Sequence, residues 1–321
     1  MQDRGSFSLS FSGKQCLVTG GCGFIGSNLV RALIELDAKV MVLDNLSSGK
    51  LEHLPSSDKV SFIHADISSF SDWAGVLHAT DYVFHLAAQV GNVKSIELTE
   101  SDAMTNIVGS VRLFTACRRT KIRKLVYASS SAIFGEAETI PISEGHRQAP
   151  ASFYALSKQT AEQYAVLANG LWGIPAVCVR FFNAYGLPME QSEYSGVINI
   201  FMDRLLHSLP LTIYGDGSQI RDFVYVNDIC QAILLAAEHG LPGTAYNIGT
   251  GTASSIRHLA EALIGVSGLP AEIRNAPERQ GEVRRSVADI GKARRDLQYA
   301  PEYSLEEGLE AIWRRKRRAM R

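Results

Sequence analysis

Residues 15–19, 39–43, 60–63, 82–86, 125–128 and 176–180 form short apolar-rich runs, the pattern of strands buried on both faces. Between them, residues 26–36, 101–118 and 152–167 follow helical spacing, with Ile25, Leu29, Leu33 and Leu36 on one face of the first. Strands alternating with helices predict parallel pairing through right-handed crossovers, and so an α/β protein built on a doubly wound parallel sheet. Past Arg180 the pattern loosens. Residues 183–195 read as a loop holding Gly186 and Pro188, and Gly215-Asp216-Gly217 as a turn. Helices are expected at 196–207, 228–238, 254–266 and 304–315, and short strands near 212–214 and 246–248. The expected division places residues 1–180 and about 223–250 in the sheet domain. Residues 181–222 and 251–321 would form a smaller mixed α/β lobe over the carboxyl edge of the sheet.

Charge and cysteine content narrow the class. The formal net charge is -1, which gives no electrostatic footprint for nucleic acid or an anionic membrane. The run from Arg314 to Arg321 is basic, with six cations in eight residues, and reads as a solvated helix end whose charges suit the negative dipole terminus. Five cysteines without C-x-x-C spacing show neither a disulfide framework nor a zinc site, so no metal is expected. Residues 1–12 lack the apolar run of a signal peptide, and no stretch approaches 18 continuous apolar residues. A cytoplasmic setting is the default expectation.

The sharpest local signal is Thr19-Gly20-Gly21-Cys22-Gly23-Phe24-Ile25-Gly26, which follows a predicted strand and opens a predicted helix. Gly20 permits a tight turn, Gly23 lets backbone approach a pyrophosphate, and Gly26 lets helix and strand pack closely. The helix N-terminus then offers amide donors and partial positive charge to phosphates. This is the dinucleotide fingerprint of a Rossmann sheet. Asp44, at the end of the second strand, would accept from the adenosine ribose hydroxyls and repel a 2′-phosphate, favouring NAD over NADP. Asp66, after the third strand, is a candidate for the adenine amino group or a helix N-cap.

Tyr154 and Lys158 stand in Tyr-x-x-x-Lys spacing on a predicted helix, so they share one face. An ammonium near a phenol favours the phenolate, which would let Tyr154 act as a base near neutrality. Ser129-Ser130-Ser131 ends a strand 24 residues before Tyr154, counted to Ser130, at the edge where such sheets bind ligands. A serine there could share a hydrogen bond with a substrate hydroxyl and Tyr154.

With these motifs, the chain resembles the extended short-chain dehydrogenase/reductases, and among them the UDP-glucose and UDP-N-acetylglucosamine 4-epimerases. The resemblance spans residues 14–313 and rests on Thr19–Gly26, Asp44-Asn45-Leu46-Ser47-Ser48-Gly49, His85-Leu86-Ala87-Ala88, Tyr154–Lys158, Arg180-Phe181-Phe182-Asn183 and Gly215–Phe223. It implies that Tyr154 is the base, Lys158 its partner and a ligand of the nicotinamide ribose, and Ser130 the residue that positions the sugar 4-hydroxyl. NAD would lie along Gly20, Gly23, Phe24, Ile25, Gly26, Asp44, Asn45, Ser47, Asp66, Ile67, Leu86, Ala87 and Ala88. The UDP-sugar would meet Ser130, Ser131, Asn183, Arg221, Arg279, Glu282 and Ser286, with the two arginines on the diphosphate. A homodimer paired through the helices near 101–118 and 152–167 is also implied. The chain departs from the family's common Val-Tyr-Gly and Arg-Tyr-Phe at Ile133-Phe134-Gly135 and Arg180-Phe181-Phe182, each time losing a hydroxyl and keeping a ring.

The reaction follows from the resemblance too. Similar dehydratases carry Asp-Glu just after the catalytic Ser or Thr, and decarboxylases carry Ser-Glu; this chain has Ser131-Ala132. An epimerase needs no carboxylate there. The small Ser286 leaves room for an acetamido group, so UDP-GlcNAc/UDP-GalNAc and UDP-Glc/UDP-Gal are the expected substrates. A dehydratase or decarboxylase drawing on another carboxylate, such as Glu136, and a non-catalytic NAD-binding regulator are the alternatives.

Overall fold

The computed structural model describes residues 10–188, 196–278 and 283–319. β1 (Gln15–Thr19) passes through the glycine loop into α1 (Phe24–Glu35), followed by β2 (Lys39–Asp44), β3 (Val60–His64), α2 (Trp73–Leu77) and β4 (Tyr82–His85). α3 (Asn92–Glu97) and α4 (Thr99–Ala103) lead into a π-helical turn, Met104–Gly109, and then α5 (Ser110–Cys117). β5 (Lys124–Ser130), α6 (Phe153–Trp172) and β6 (Ala176–Phe181) complete this half. β7 (Asn183–Tyr185), α7 (Val197–Leu206), β8 (Leu211–Tyr214), β9 (Ile220–Arg221) and β10 (Phe223–Tyr225) come next. Then follow α8 (Val226–His239), β11 (Thr244–Ile248), β12 (Ser254–Ser255), α9 (Ile256–Ser267), β13 (Ile273–Ala276), β14 (Arg285–Ser286), α10 (Gly291–Leu297) and α11 (Leu305–Ala319).

Seven strands pair in the order β11-β6-β5-β4-β1-β2-β3, all parallel. Successive side chains enter opposite faces. Val18, Val126, Val177 and Val179 pack into one core. Leu17, Leu125, Tyr127 and Cys178 pack into the other. Burial on both faces explains why these strands are continuous apolar runs; each large buried side chain stabilises the fold by about 1.5–3 kcal/mol, an upper bound against a fully extended chain. The strand order reverses between β1 and β4, which opens a crevice at their carboxyl ends.

Two expectations differ from the structure. The predicted loop at 183–195 begins with a strand: β7 pairs in parallel with β10, Asn183 opposite Phe223. Three residues are too few to show a period, and the partner lies far along the chain. Residues 189–195 are outside the described set. The predicted single helix at 101–118 widens into the π-helical turn, where Gly109 packs so close to Ile67 that a Cβ would meet its Cγ2 at 2.7 Å. Of the basic C-terminal run, Lys316 donates to Asn199 Oδ1 at 2.9 Å and Arg314 to Glu310 Oε1 at 2.5 Å.

Candidate active site

The glycine loop closes over the β1–β4 crevice. Gly20 has φ +70°, and a Cβ there would meet Ala87 N at 2.6 Å; a Cβ on Gly26 would meet Gly20 O at 2.1 Å. Neither position tolerates a side chain. Around Gly23 the nearest atom to an added Cβ is Gly20 O at 3.3 Å, so its outer side is open to a ligand. α1 starts beside it, at Phe24 and Ile25, with no side-chain cap and no acidic residue in its first turn. The free N-terminal amides fit a pyrophosphate, and the residues present fit the dinucleotide.

Asp44 is nearly buried, and its carboxylate accepts from Cys22 N at 2.9 Å and Leu46 N at 2.8 Å. Gly49 lets the loop carrying Asn45 and the exposed Ser47 press onto the glycine loop, since a Cβ there would meet Cys22 C at 2.5 Å. Asp66 accepts from Asn45 Nδ2 at 2.7 Å and from the amide and hydroxyl of Ser68. Burial pushes the Asp66 carboxyl up, but the bonds from Ser68 and Asn45 outweigh it and hold the group below its ordinary value. Ile67 is buried beneath Gly109, while Leu86, Ala87 and Ala88 leave β4 half-buried.

A buried polar chain ties this loop to the π-helical turn. Burial, and then the charge of Lys158, push His85 down to about 3, so its ring is neutral and carries one N–H. Ser110 Oγ donates to Asn106 O at 2.6 Å, so it accepts from His85 Nε2 at 2.9 Å. His85 Nδ1 therefore accepts from Thr19 Oγ1 at 2.7 Å, and Thr19 Oγ1 accepts from Ala87 N at 3.3 Å. The tautomer is assigned from these partners.

The candidate catalytic group assembles where β5 ends and α6 begins. Ser152 caps α6 by accepting from Ala155 N at 3.1 Å, and Tyr154 and Lys158 occupy the first turns. The Ser130 hydroxyl bonds the Tyr154 phenol and accepts from Ala132 N at 3.2 Å. Ser131 opens the following short helical turn, half-buried. Lys158 is buried with Nζ 4.5 Å from the centroid of the Tyr127 ring. Burial pushes Lys158 down to about 8, against the opposing charge of Asp102 and of Glu162. Tyr154 departs from the sequence expectation. Burial raises its phenol above the ordinary value, Ser130 partly offsets that, and Asp102 adds to the rise. In this protein the desolvation of the phenol outweighs the help expected from the lysine.

Behind this pair lies a buried clamp. Arg180 of β6 donates to Glu162 of α6 from Nη2 at 2.6 Å and from Nε at 3.1 Å. Ser129 donates to Glu162 Oε2 at 2.5 Å, so the residue before Ser130 is tied to the helix carrying Tyr154.

On the substrate side, β9 pairs with β14, placing Arg221 opposite Ser286. Asn183 N donates to Asp222 O at 3.0 Å, so Asn183 joins the same wall. Asp222, buried next to Arg221, accepts from Thr250 N, Thr250 Oγ1, Gly251 N and Ala288 N at 2.7–3.2 Å. It was not among the sequence candidates, although it lies inside the Gly215–Phe223 motif. Arg279 and Glu282 lie outside the described residues. Among the described residues no cluster of three His, Cys, Asp or Glu could hold a metal, all five cysteines are free, and no helix is long and apolar enough to cross a membrane.

A glycine-loop crevice beside a Ser–Tyr–Lys group defines a dinucleotide-dependent enzyme of the extended short-chain dehydrogenase/reductase class. Residues 16–249 match the NAD dependent epimerase/dehydratase family, and the chain belongs to it. It is an NAD-dependent enzyme of that family. It is 38% identical over 299 residues to a UDP-glucose 4-epimerase of Mycolicibacterium smegmatis, covering 91% of this chain and 95% of that one. The UDP-N-acetylglucosamine 4-epimerase of Methanobrevibacter ruminantium, solved with UDP-N-acetylmuramic acid, superposes with TM-score 0.91 at 36% identity, covering 95% of this chain and 99% of that one. The Thermus thermophilus UDP-glucose 4-epimerase, solved with NAD, does so with TM-score 0.85 at 35% identity, covering 94% and 99%. A UDP-N-acetyl-alpha-D-glucosaminuronate decarboxylase of Bacillus cytotoxicus is 32% identical over 314 residues, covering 92% of this chain and 96% of that one.

Proposed function

We propose that the enzyme is a UDP-sugar 4-epimerase that accepts UDP-GlcNAc/UDP-GalNAc, and UDP-Glc/UDP-Gal beside them. The observation that carries this reading is Ser130 bonded to Tyr154 with no carboxylate at the next two positions, Ser131 and Ala132. The nearby Glu136 is exposed, and its Oε2 accepts from Arg284 N at 2.6 Å, which engages it with backbone. Ser130 orients the sugar 4-hydroxyl, and Tyr154, as phenolate, removes its proton. Bound along the glycine loop and Asp44, NAD would supply an acceptor and donor of hydride for the sugar C4. Tyr154 then gives the proton back, and Lys158 holds the phenolate by charge. Asp44 would meet the adenosine ribose hydroxyls and repel a 2′-phosphate. Arg221 with Asn183 would take the diphosphate, joined by Arg279, and Glu282 the uridine ribose.

Ser286 is nearly buried opposite Arg221, and its small side chain would leave room for an acetamido group. Incubation with UDP-GlcNAc or UDP-Glc, without added reductant, should give a product of unchanged mass with an axial 4-hydroxyl by proton NMR. Ser286→Tyr should depress turnover of UDP-GlcNAc more than that of UDP-Glc. Loss of water or carbon dioxide from the sugar would overturn the epimerase reading, and equal losses on both sugars would overturn the role of Ser286.

The five free, buried thiols suit a reducing cytoplasm. We also propose a homodimer. Phe153, Leu156, Tyr164, Leu167 and Leu171 form an apolar stripe along one face of α6, with Leu171 74% exposed. Sedimentation should show twice the 35.1 kDa chain mass, and a monomer at micromolar concentration would refute this.

A further inference from the structure

Asp102, on α4, is 1% exposed and touches neither sugar nor cofactor in the mechanism above. Asn106 Nδ2, from the π-helical turn, donates to its Oδ1 at 3.0 Å. Asn106 Nδ2 also donates to the Ser157 hydroxyl at 3.0 Å, and Ser157 in turn donates to Tyr154 O at 3.0 Å, so Asn106 links the Asp102 carboxylate to α6. Ser157 directly precedes Lys158, so the acid grips the helical turn that carries both catalytic side chains.

A buried carboxylate needs a compensating charge, and so does a buried ammonium. The groups around Lys158 leave one pairing. Glu162, on α6, is engaged by the Arg180 guanidinium of β6. Cys178, on β6, is a thiol pushed well up by burial, hence neutral. Tyr127, on β5, presents its ring face and is raised too. His85, on β4, is neutral. On the flanking elements, Glu97 of α3 and Glu100 of α4 are exposed and Lys94 of α3 is half-buried.

We propose that Asp102 is the internal counter-charge of the Tyr154–Lys158 pair, a positioning residue that keeps Lys158 charged and sets the pH range of catalysis. Its negative charge favours the proton on Lys158 and also on Tyr154. Burial raises Asp102 itself, while Ser157 and Lys158 oppose the rise.

Asp102→Asn tests this, because the amide keeps an oxygen for Asn106 while losing the charge. Activity needs Tyr154 deprotonated and Lys158 protonated, so the loss of the anion lowers both. Both limbs of the kcat/KM pH profile should move to lower pH by about one unit or more. Asp102→Glu should restore the wild-type limbs, and Asp102→Ser gives the same reading should the amide not be accommodated. A purely structural role would scale the rate at every pH and leave the limbs in place, and that result would overturn the proposal. The proposal rests on the epimerase reading for which groups must be charged. The closing measurement therefore avoids turnover: titration of the Tyr154 phenol by NMR of 13Cζ-tyrosine in the NAD-loaded protein, assigned with Tyr154→Phe. A downward shift of that resonance midpoint in Asp102→Asn supports the counter-charge even if no sugar reacts, and an unchanged midpoint overturns it.

Discussion

Tyr154→Phe is expected to lower kcat for epimerisation by roughly 10²–10⁴-fold, the usual worth of a positioned acid–base group. The ring stays in the first turns of α6, and the capped N-terminus with Ser152 is untouched. Only the hydroxyl that bonds Ser130 is lost. Protein-bound NAD, measured after denaturation, should remain at the wild-type level, because the glycine loop and Asp44 do not depend on the phenol. The remaining activity should also lose the acid limb of its pH profile, since the group that must shed a proton is gone. Unchanged kcat would mean that the base lies elsewhere. The basic limb belongs to Lys158, which burial brings down to about 8. A base with a depressed folded-state pKa is held against its charged form. Its contribution to stability therefore rises with pH from about 8 towards the unfolded value, while the catalytic charge is being lost.

Arg180→Met should be the most destabilising single change near the site. Arg180 and Glu162 are almost fully buried, and the variant leaves the Glu162 carboxylate without its cation. Breaking one side of a buried pair costs about 3–5 kcal/mol, largely as the desolvation of the charge left behind. Ser129, which donates to the same carboxylate, then loses its fixed acceptor, so Ser130 should be placed less well against Tyr154. A lowered urea midpoint together with a lower kcat is the expected result. Arg180→Met combined with Glu162→Gln should recover most of the stability, because the stranded charge is removed. If single and double variants unfold at the same urea concentration, the loss is one of packing against Phe134, over which the guanidinium lies at 5.3 Å, and not of charge.

Much of the molecule was legible before any coordinates. The inner parallel strands β1, β2, β4, β5 and β6 are largely apolar on both faces, so their runs announce themselves. The glycine loop, Asp44, and the Tyr154–Lys158 spacing follow from local geometry over fewer than 30 residues. α2, α3 and α10 were not legible, since helices of five to seven residues display too little period. β7, β9, β10 and β12 to β14 were missed because two to four residues gain their order from partners elsewhere.

The sequence by itself determined the class of sheet, the glycine loop and the Tyr154–Lys158 spacing, because each depends on residues close together in the chain. Only the tertiary structure decided which buried charges meet. Asp102 reaches the turn of Ser157, Glu162 reaches Arg180 and Ser129, Asp222 gathers donors from 250–288, and His85 acquires one tautomer from Thr19 and Ser110. The energy of a buried polar group depends on distance through space and on the water removed around it, and neither quantity has a period along the chain. The same physics turned the expected lowering of the Tyr154 phenol into a rise, since spacing places a lysine one helical turn away but does not reveal how dry the phenol is.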